Sequence, residues 1–163
     1  GDDLWVWDSM NGLLTVEDVP QRENLWMFAT GTALGPFLAI LKSEKSYSHY
    51  KKLVLVHAVR TQDELTYSDT VRAILAAHGS QVVFVPIVSR EIVADALQGR
   101  IPAMIDNGLL EVRVGVPLKP ENSHVMLCGN SGMIQDTNKV LEKRGMKKHT
   151  RREPGHISTE KYH

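Results

Sequence analysis

Four continuous apolar runs punctuate the chain, at residues 25–29, 53–59, 81–88 and 124–128. Each is β-prone, and none alternates apolar with polar positions as a strand with one wet face would. They predict parallel strands covered on both faces. The stretches between them, residues 36–46, 66–78, 91–97 and 132–144, carry helix-compatible patterns. Pro36 suits a first helical position, Ser131 an N-cap, and Gly79 and Gly145 helix stops. Residues 104–115, preceded by Ile101-Pro102, predict a short helix and an extended segment outside the sheet. A fifth strand, then an extended tail, is expected between residues 147 and 163. Repeated β-α-β units of this kind predict an α/β fold with a doubly wound, five-stranded parallel sheet and right-handed crossovers. The amino end departs from the scheme. Residues 4–7 read as a short strand and Asp8-Ser9-Met10-Asn11-Gly12 as a turn, which resembles the close of an antiparallel barrel. The expected division is a barrel remnant and linker over 1–22 and the α/β domain over 23–163.

Composition narrows the picture. With 163 residues, 42% of them hydrophobic, the chain is the size of one domain around one core. Nineteen basic and nineteen acidic side chains leave no net charge that would argue for nucleic acid or a membrane surface. The charge is unevenly placed: residues 1–24 hold six acids and one base, residues 139–163 eight bases and three acids. The carboxyl end can attract an acidic partner, although a charge run also reads as a solvated face. A single cysteine, Cys128, excludes a disulfide framework and a four-thiolate iron–sulfur centre, and fits a reducing cytoplasm. There is no 18-residue apolar run, and Gly1-Asp2-Asp3 lacks the basic-then-apolar start of a secretion signal. The expectation is a soluble, cytoplasmic monomer, with Gly1 reading as the start of a fragment. The seven histidines show no HxxxH or HExxH spacing, so no metal site is expected.

In an open parallel sheet, ligands bind beyond the carboxyl ends of the strands, so the residues just after each apolar run carry the most information. After the first comes Thr30-Gly31-Thr32-Ala33-Leu34-Gly35-Pro36, where two glycines allow close backbone approach and the following helix points its positive end at an anion. An ordinary tight turn has the same composition. A second glycine turn, Cys128-Gly129-Asn130-Ser131-Gly132, follows the fourth run. Arg60 follows the second, Ser89 and Arg90 the third, and Arg100 stands a little further on. Arginine at the end of the second strand suits the 2′-phosphate of NADP, where an acid would suit the free ribose of NAD. Asp63 or Glu64 could instead simply pair with Arg60. Cys128 reads either as a small buried hydrophobe or as a soft contact for a planar ring.

Together these stretches resemble the bacterial ferredoxin/flavodoxin–NADP reductases. The similarity rests on several long strings in order: Trp26-Met27-Phe28-Ala29-Thr30-Gly31-Thr32, Leu55-Val56-His57-Ala58-Val59-Arg60, Gly99-Arg100-Ile101-Pro102, Met126-Leu127-Cys128-Gly129-Asn130 and Arg151-Arg152-Glu153-Pro154-Gly155-His156. The resemblance implies a Rossmann-like NADP-binding domain in an enzyme that exchanges hydride between NADPH and FAD. It implies that Thr30, Gly31, Thr32, Gly35 and Pro36 lie under the pyrophosphate and nicotinamide. Arg60, Ser89, Arg90 and Arg100 would grip the 2′-phosphate and adenosine. Cys128, Gly129 and Asn130 would stand beside the nicotinamide. Glu160-Lys161-Tyr162 matches the family's E-x-Y, in which the tyrosine covers the flavin, and His163 stands where relatives place an aromatic residue that can stack on the FAD adenine. The implied partner is ferredoxin or flavodoxin, met by Lys147, Lys148, Arg151 and Arg152. Most of the FAD-binding barrel is absent from the sequence, so a nucleotide-binding module without turnover, or a reductase of free flavin or a haem protein, stands as the alternative.

Overall fold

A computed structural model of the chain describes residues 14–161. The expected strand over 4–7, the turn over 8–12, and Tyr162 and His163 lie outside the described residues. The apolar runs form β1 (Asn24–Thr30), β2 (Lys52–Val59), β3 (Val82–Val88) and β5 (Ser123–Gly129), joined by β4 (Leu97–Gln98) and β6 (Ile157–Lys161). All pair in parallel, in the order β4-β3-β2-β1-β5-β6.

The runs are continuous because both faces are covered, and the two-residue period of a strand sorts them cleanly. Leu25, Met27, Leu53, Leu55, Met126 and Cys128 face one helical layer, where Phe37 and Leu41 of α1 (Gly35–Lys42) and Val71 and Ile74 of α3 (Ser68–His78) cover them. Trp26, Phe28, Val54, Val56, Val125 and Leu127 face the other. There they meet Ile101 and Ile105 of α4 (Ile101–Asp106), Leu110 of α5 (Leu109–Val114), and Ile134 and Leu141 of α6 (Ser131–Lys143). The one polar atom of Trp26 is satisfied, since its indole N–H donates to the Ser123 hydroxyl at 3.2 Å. Leu14 and Val16 are also buried against the first layer, so the segment before β1 belongs to the packed domain as far back as it is described.

Six details of the sequence reading are corrected. The sheet has six strands, because Leu97–Gln98 adds a two-residue strand at the edge, paired with Ile87 and Val88. Residues 91–96 are irregular, with a turn at 94–95, in place of the helix expected over 91–97: Ile92 is 85% exposed, so there is no apolar stripe to bury, and Asp95 has φ +66°, which no helix continues through. The helix expected over 36–46 breaks at Ser43, whose backbone is extended, into α1 and α2 (Glu44–His49). The Ser46 hydroxyl caps the break by donating to the Ile40 carbonyl at 2.6 Å. Residues 101–114 are two helices, α4 and α5, parted at Gly108 with φ +80°. The N-cap of α6 is Asn130, whose side-chain oxygen accepts from the Met133 N–H at 2.8 Å, and Ser131 is the first helical residue. The last segment also runs in the reverse of the expected order: a loop over 147–156 comes first and β6 closes the described chain.

Candidate functional site

Strand order reverses between β1 and β5, and at such a switch point the connections leave to opposite faces and open a crevice at the carboxyl ends of the strands. The turn after β1 forms one wall. Gly31 there has φ +58°, a left-handed conformation that favours glycine. Its N–H donates to the Ala58 carbonyl at 3.1 Å, and the Ala33 N–H closes the turn on the Thr30 carbonyl at 3.0 Å. The Gly31 carbonyl accepts from His57 Nε2 at 2.7 Å. A carbonyl cannot donate, so this nitrogen carries the imidazole proton. Burial lowers the His57 pKa from its usual 6.5, in the direction that favours the neutral ring.

The turn after β5 forms the other wall. Gly129 is required there by proximity: a Cβ would stand 2.2 Å from Thr30 Oγ1 and 2.9 Å from Met133 Cε. The two glycine turns therefore meet across the switch point. Between them and the ends of β2, β3 and β4 lies a cleft of about 550 Å³. Thr30, Gly31, Thr32, Arg60, Ser89, Arg100, Gly129 and Asn130 all line it, as expected from the sequence.

Arg60 is exposed and paired. Its guanidinium meets the Glu64 carboxylate at 3.2 Å, and the backbone N–H groups of Arg60 and Thr61 donate to the same carboxylate. Glu64 thus closes a capping box with Thr61 over the short turn Gln62–Glu64. The hydrogen bond from Arg60 is the largest of the effects that hold the Glu64 carboxyl below its usual range. The pairing weighed from the sequence is real, and it leaves Arg60 on the cleft wall. Backbone bonds carry the ladder past the strand ends, from the Ser89 N–H to the Val59 carbonyl and from the Arg90 N–H to the Arg60 carbonyl, at 3.0 and 2.9 Å. This sets Ser89 on the wall, whereas the exposed Arg90 lies outside the set of lining residues.

Other expected residues sit elsewhere. Gly35 and Pro36 start α1, with Pro36 buried. Cys128 does not reach the cleft: its side chain is fully buried on the α1/α3 face, in register with Ala29 of β1 and Glu160 of β6. Glu160 is also buried, and both its carboxylate oxygens lack a hydrogen-bond partner among the described residues, so burial raises its pKa above 4.5. Lys147, Lys148, Arg151 and Arg152 are all exposed, in the loop that precedes β6. In a parallel sheet that loop lies at the amino ends of the strands, opposite the cleft. The sequence reading missed Met133 and Asp136 on the α6 wall, and the part played by His57. The signal for His57 was present, as an imidazole inside an otherwise apolar strand.

A doubly wound parallel sheet with a cleft at its switch point, two glycine turns and arginines on the rim defines a dinucleotide-binding α/β domain. Residues 27–139 match the family described as oxidoreductase NAD-binding domain, and the chain belongs to that family. It is 41% identical over 99% of its length to a flavodoxin/ferredoxin–NADP reductase of Buchnera aphidicola, and 45% identical over 84% to one of Escherichia coli. It spans 63% and 55% of the length of those two relatives. A crystal structure of a ferredoxin–NADP⁺ reductase from Neisseria gonorrhoeae, with bound FAD and NADP, superposes with a TM-score of 0.85 at 34% identity. That match covers 92% of this chain and 60% of the other. A flavohaem-like FAD/NAD-binding domain from Vibrio cholerae shares the fold alone, with a TM-score of 0.65 at 20% identity.

Proposed function

We propose that the cleft binds NADP(H) and that the chain is the nucleotide-binding part of a flavin-dependent ferredoxin or flavodoxin reductase. The observation that carries this reading is the meeting of the two glycine turns at the switch point, with Arg60 and Arg100 on the same cleft. The donor set fits a phosphorylated dinucleotide. Two guanidinium groups, the Ser89 hydroxyl and the start of the 13-residue helix α6 face two carboxylates, those of Glu64 and Asp136.

Arg60 and Arg100 hold the 2′-phosphate, with Arg60 exchanging its bond to Glu64 for one to the phosphate. Arg90, one residue beyond the wall, adds charge at that end. The Gly31–Thr32 turn and the first residues of α6 hold the pyrophosphate, and Gly129 lets the far end of the nucleotide approach the backbone of β5 closely. Cys128 and Glu160, neighbours in register, are assigned to the flavin side, where the two orphaned carboxylate oxygens of Glu160 fit a donor from outside the described residues. Glu160 Oε can hold a proton there, because burial favours its neutral form. When bound, NADPH supplies a hydride and FAD accepts it, passing electrons on singly. Tyr162 is assigned to cover the flavin and His163 its adenine. An acidic carrier, ferredoxin or flavodoxin, is the partner, with the Lys147, Lys148, Arg151 and Arg152 loop supplying an attractive field. We place the protein in the cytoplasm; among the described residues no helix is long and apolar enough to cross a membrane.

The test is nucleotide selectivity. Each arginine–phosphate contact is worth about 1.5–3 kcal/mol, or roughly ten- to a hundredfold in affinity. Arg60→Ala with Arg100→Ala should lower the preference for NADP⁺ over NAD⁺ by at least tenfold, read by calorimetric titration. An unchanged ratio would overturn the phosphate assignment.

A further inference from the structure

Several buried polar groups of this fold pair side chain to side chain, as Trp26 does with Ser123 and His124 with Ser158. His57 does not. Leu53, Val54, Leu55 and Val56 precede it in β2 as apolar core, and it is itself fully buried on the strand that Arg60 follows. Its Nδ1 has no hydrogen-bond partner among the described residues, a penalty of about 1–3 kcal/mol that an apolar residue would avoid. What the ring obtains in return is one contact, the 2.7 Å bond from Nε2 to the Gly31 carbonyl.

That contact completes a clamp. The Gly31 N–H is held by the Ala58 carbonyl at 3.1 Å and the Gly31 C=O by His57, so β2 grips this residue of the turn at both polar ends. Glycine leaves the next peptide free to rotate, more so than any other residue would. Because a trans peptide is planar, its C=O and N–H point in opposite directions. Holding the Gly31 carbonyl against β2 therefore turns the Thr32 N–H away from β2, and Thr32 is exposed on the cleft wall.

Resting on the reading of the cleft as a dinucleotide site, we propose that His57 is a positioning residue: by donating Nε2–H to the Gly31 carbonyl it locks the turn so that the Thr32 N–H is presented to the bridging phosphates. It does not touch the nucleotide. Its contribution is to remove the cost of ordering a glycine turn when the ligand arrives.

Three substitutions separate this role from packing. Glutamine places an amide N–H where Nε2 stands, asparagine stops short of it, and leucine fills the volume without a donor. Binding of NADP⁺ and of adenosine 2′-monophosphate, which has no pyrophosphate, is measured for the 163-residue chain and each variant. His57→Leu and His57→Asn should each weaken NADP⁺ about tenfold, leave adenosine 2′-monophosphate within about twofold, and speed amide exchange at Gly31 in the ligand-free protein but not at Leu55. His57→Gln should stay within about threefold of the original chain. NADP⁺ binding unchanged in His57→Leu, or His57→Gln no better than His57→Asn, overturns the proposal. Equal loss of both ligands in all three variants overturns it as well, because that is the mark of a merely structural residue. Failure of the unsubstituted chain to bind either ligand overturns the reading of the cleft instead, while the exchange rates at Gly31 still report on the clamp.

Discussion

Gly129 is glycine because another side chain already occupies the place of its Cβ. Thr30 Oγ1 stands 2.2 Å from that point, and threonine, branched at Cβ, has few rotamers into which to retreat. Gly129→Ala should therefore cost about 1–3 kcal/mol of stability, measured by urea denaturation. In a Thr30→Ala background the cost should fall by at least half, and a double-mutant cycle without coupling would show that the clash is relieved elsewhere. At this scale the sequence was readable for residues whose chemistry is exposed at strand ends. Arg60 and Ser89 could be placed because an apolar run has a visible end. Cys128 could not, since whether a residue at a strand end faces a cleft or a helix depends on strand parity and on what packs above it. His57 went unread for a related reason: its partner, the Gly31 carbonyl, lies 26 residues away and has no side chain to announce it.

Among the elements, long periodic segments were legible and short ones were not. The helices α3 and α6 end within a residue or two of their expected limits because each has an amphipathic face and a stop, Gly79 or Gly145. The Asn130 cap was misplaced by one residue, since Asn130 and Ser131 are equally competent caps and only the backbone path chooses between them. The loop over 147–156 is held by one contact within it and one from afar: its His149 Nδ1 accepts from the Gly155 N–H at 3.1 Å, and Nε2 of the same ring donates to the Asp18 carbonyl at 3.0 Å. Gly155 is fixed there by backbone, with Lys148 O 2.4 Å from where a Cβ would stand. The four cations of this loop form no ion pair among the described residues. They stand about 20 Å from the cleft, the length of six or seven strand residues, which exceeds the ~10 Å screening length at 0.1 M salt. Lys147→Glu with Lys148→Glu should accordingly leave NADP⁺ affinity unchanged while weakening association with ferredoxin or flavodoxin and flattening its salt dependence. Carrier titrations at low and moderate salt test this, and an unaltered salt slope would remove the loop from the carrier surface.

For the whole molecule, acid is the sensitive direction. Burial, then the nearby charges of His149, Arg22 and His156, push the His124 pKa down from 6.5 to about 3, and burial also lowers those of His57 and His156. A base whose folded pKa is depressed is neutral when folded and protonated when unfolded throughout the interval between the two values. The stability it contributes is therefore intact above about pH 6.5 and is lost as pH falls toward 3. His124 alone should cost about 1.4 kcal/mol per pH unit inside that window. Glu160, with its pKa raised, acts in the opposite sense, losing stability as pH rises, but it stands against the three histidines and the lowered Glu64. Urea midpoints should hold from pH 7.5 to about 6.5, then fall toward pH 4.5, and fall less steeply in His124→Gln; a flat profile below pH 6.5 would show that these rings are not buried in solution. The sequence by itself determined the layer architecture, since an apolar run without alternation demands two covered faces. It also marked residues that line the cleft, Arg60, Ser89 and the two glycine turns, because they follow those runs directly. Tertiary structure alone decided which glycines must be glycine, which strand-end side chains enter the cleft, and that His57 holds the turn. Those outcomes depend on atoms brought together across parallel strands tens of residues apart, a distance over which local pattern carries no information.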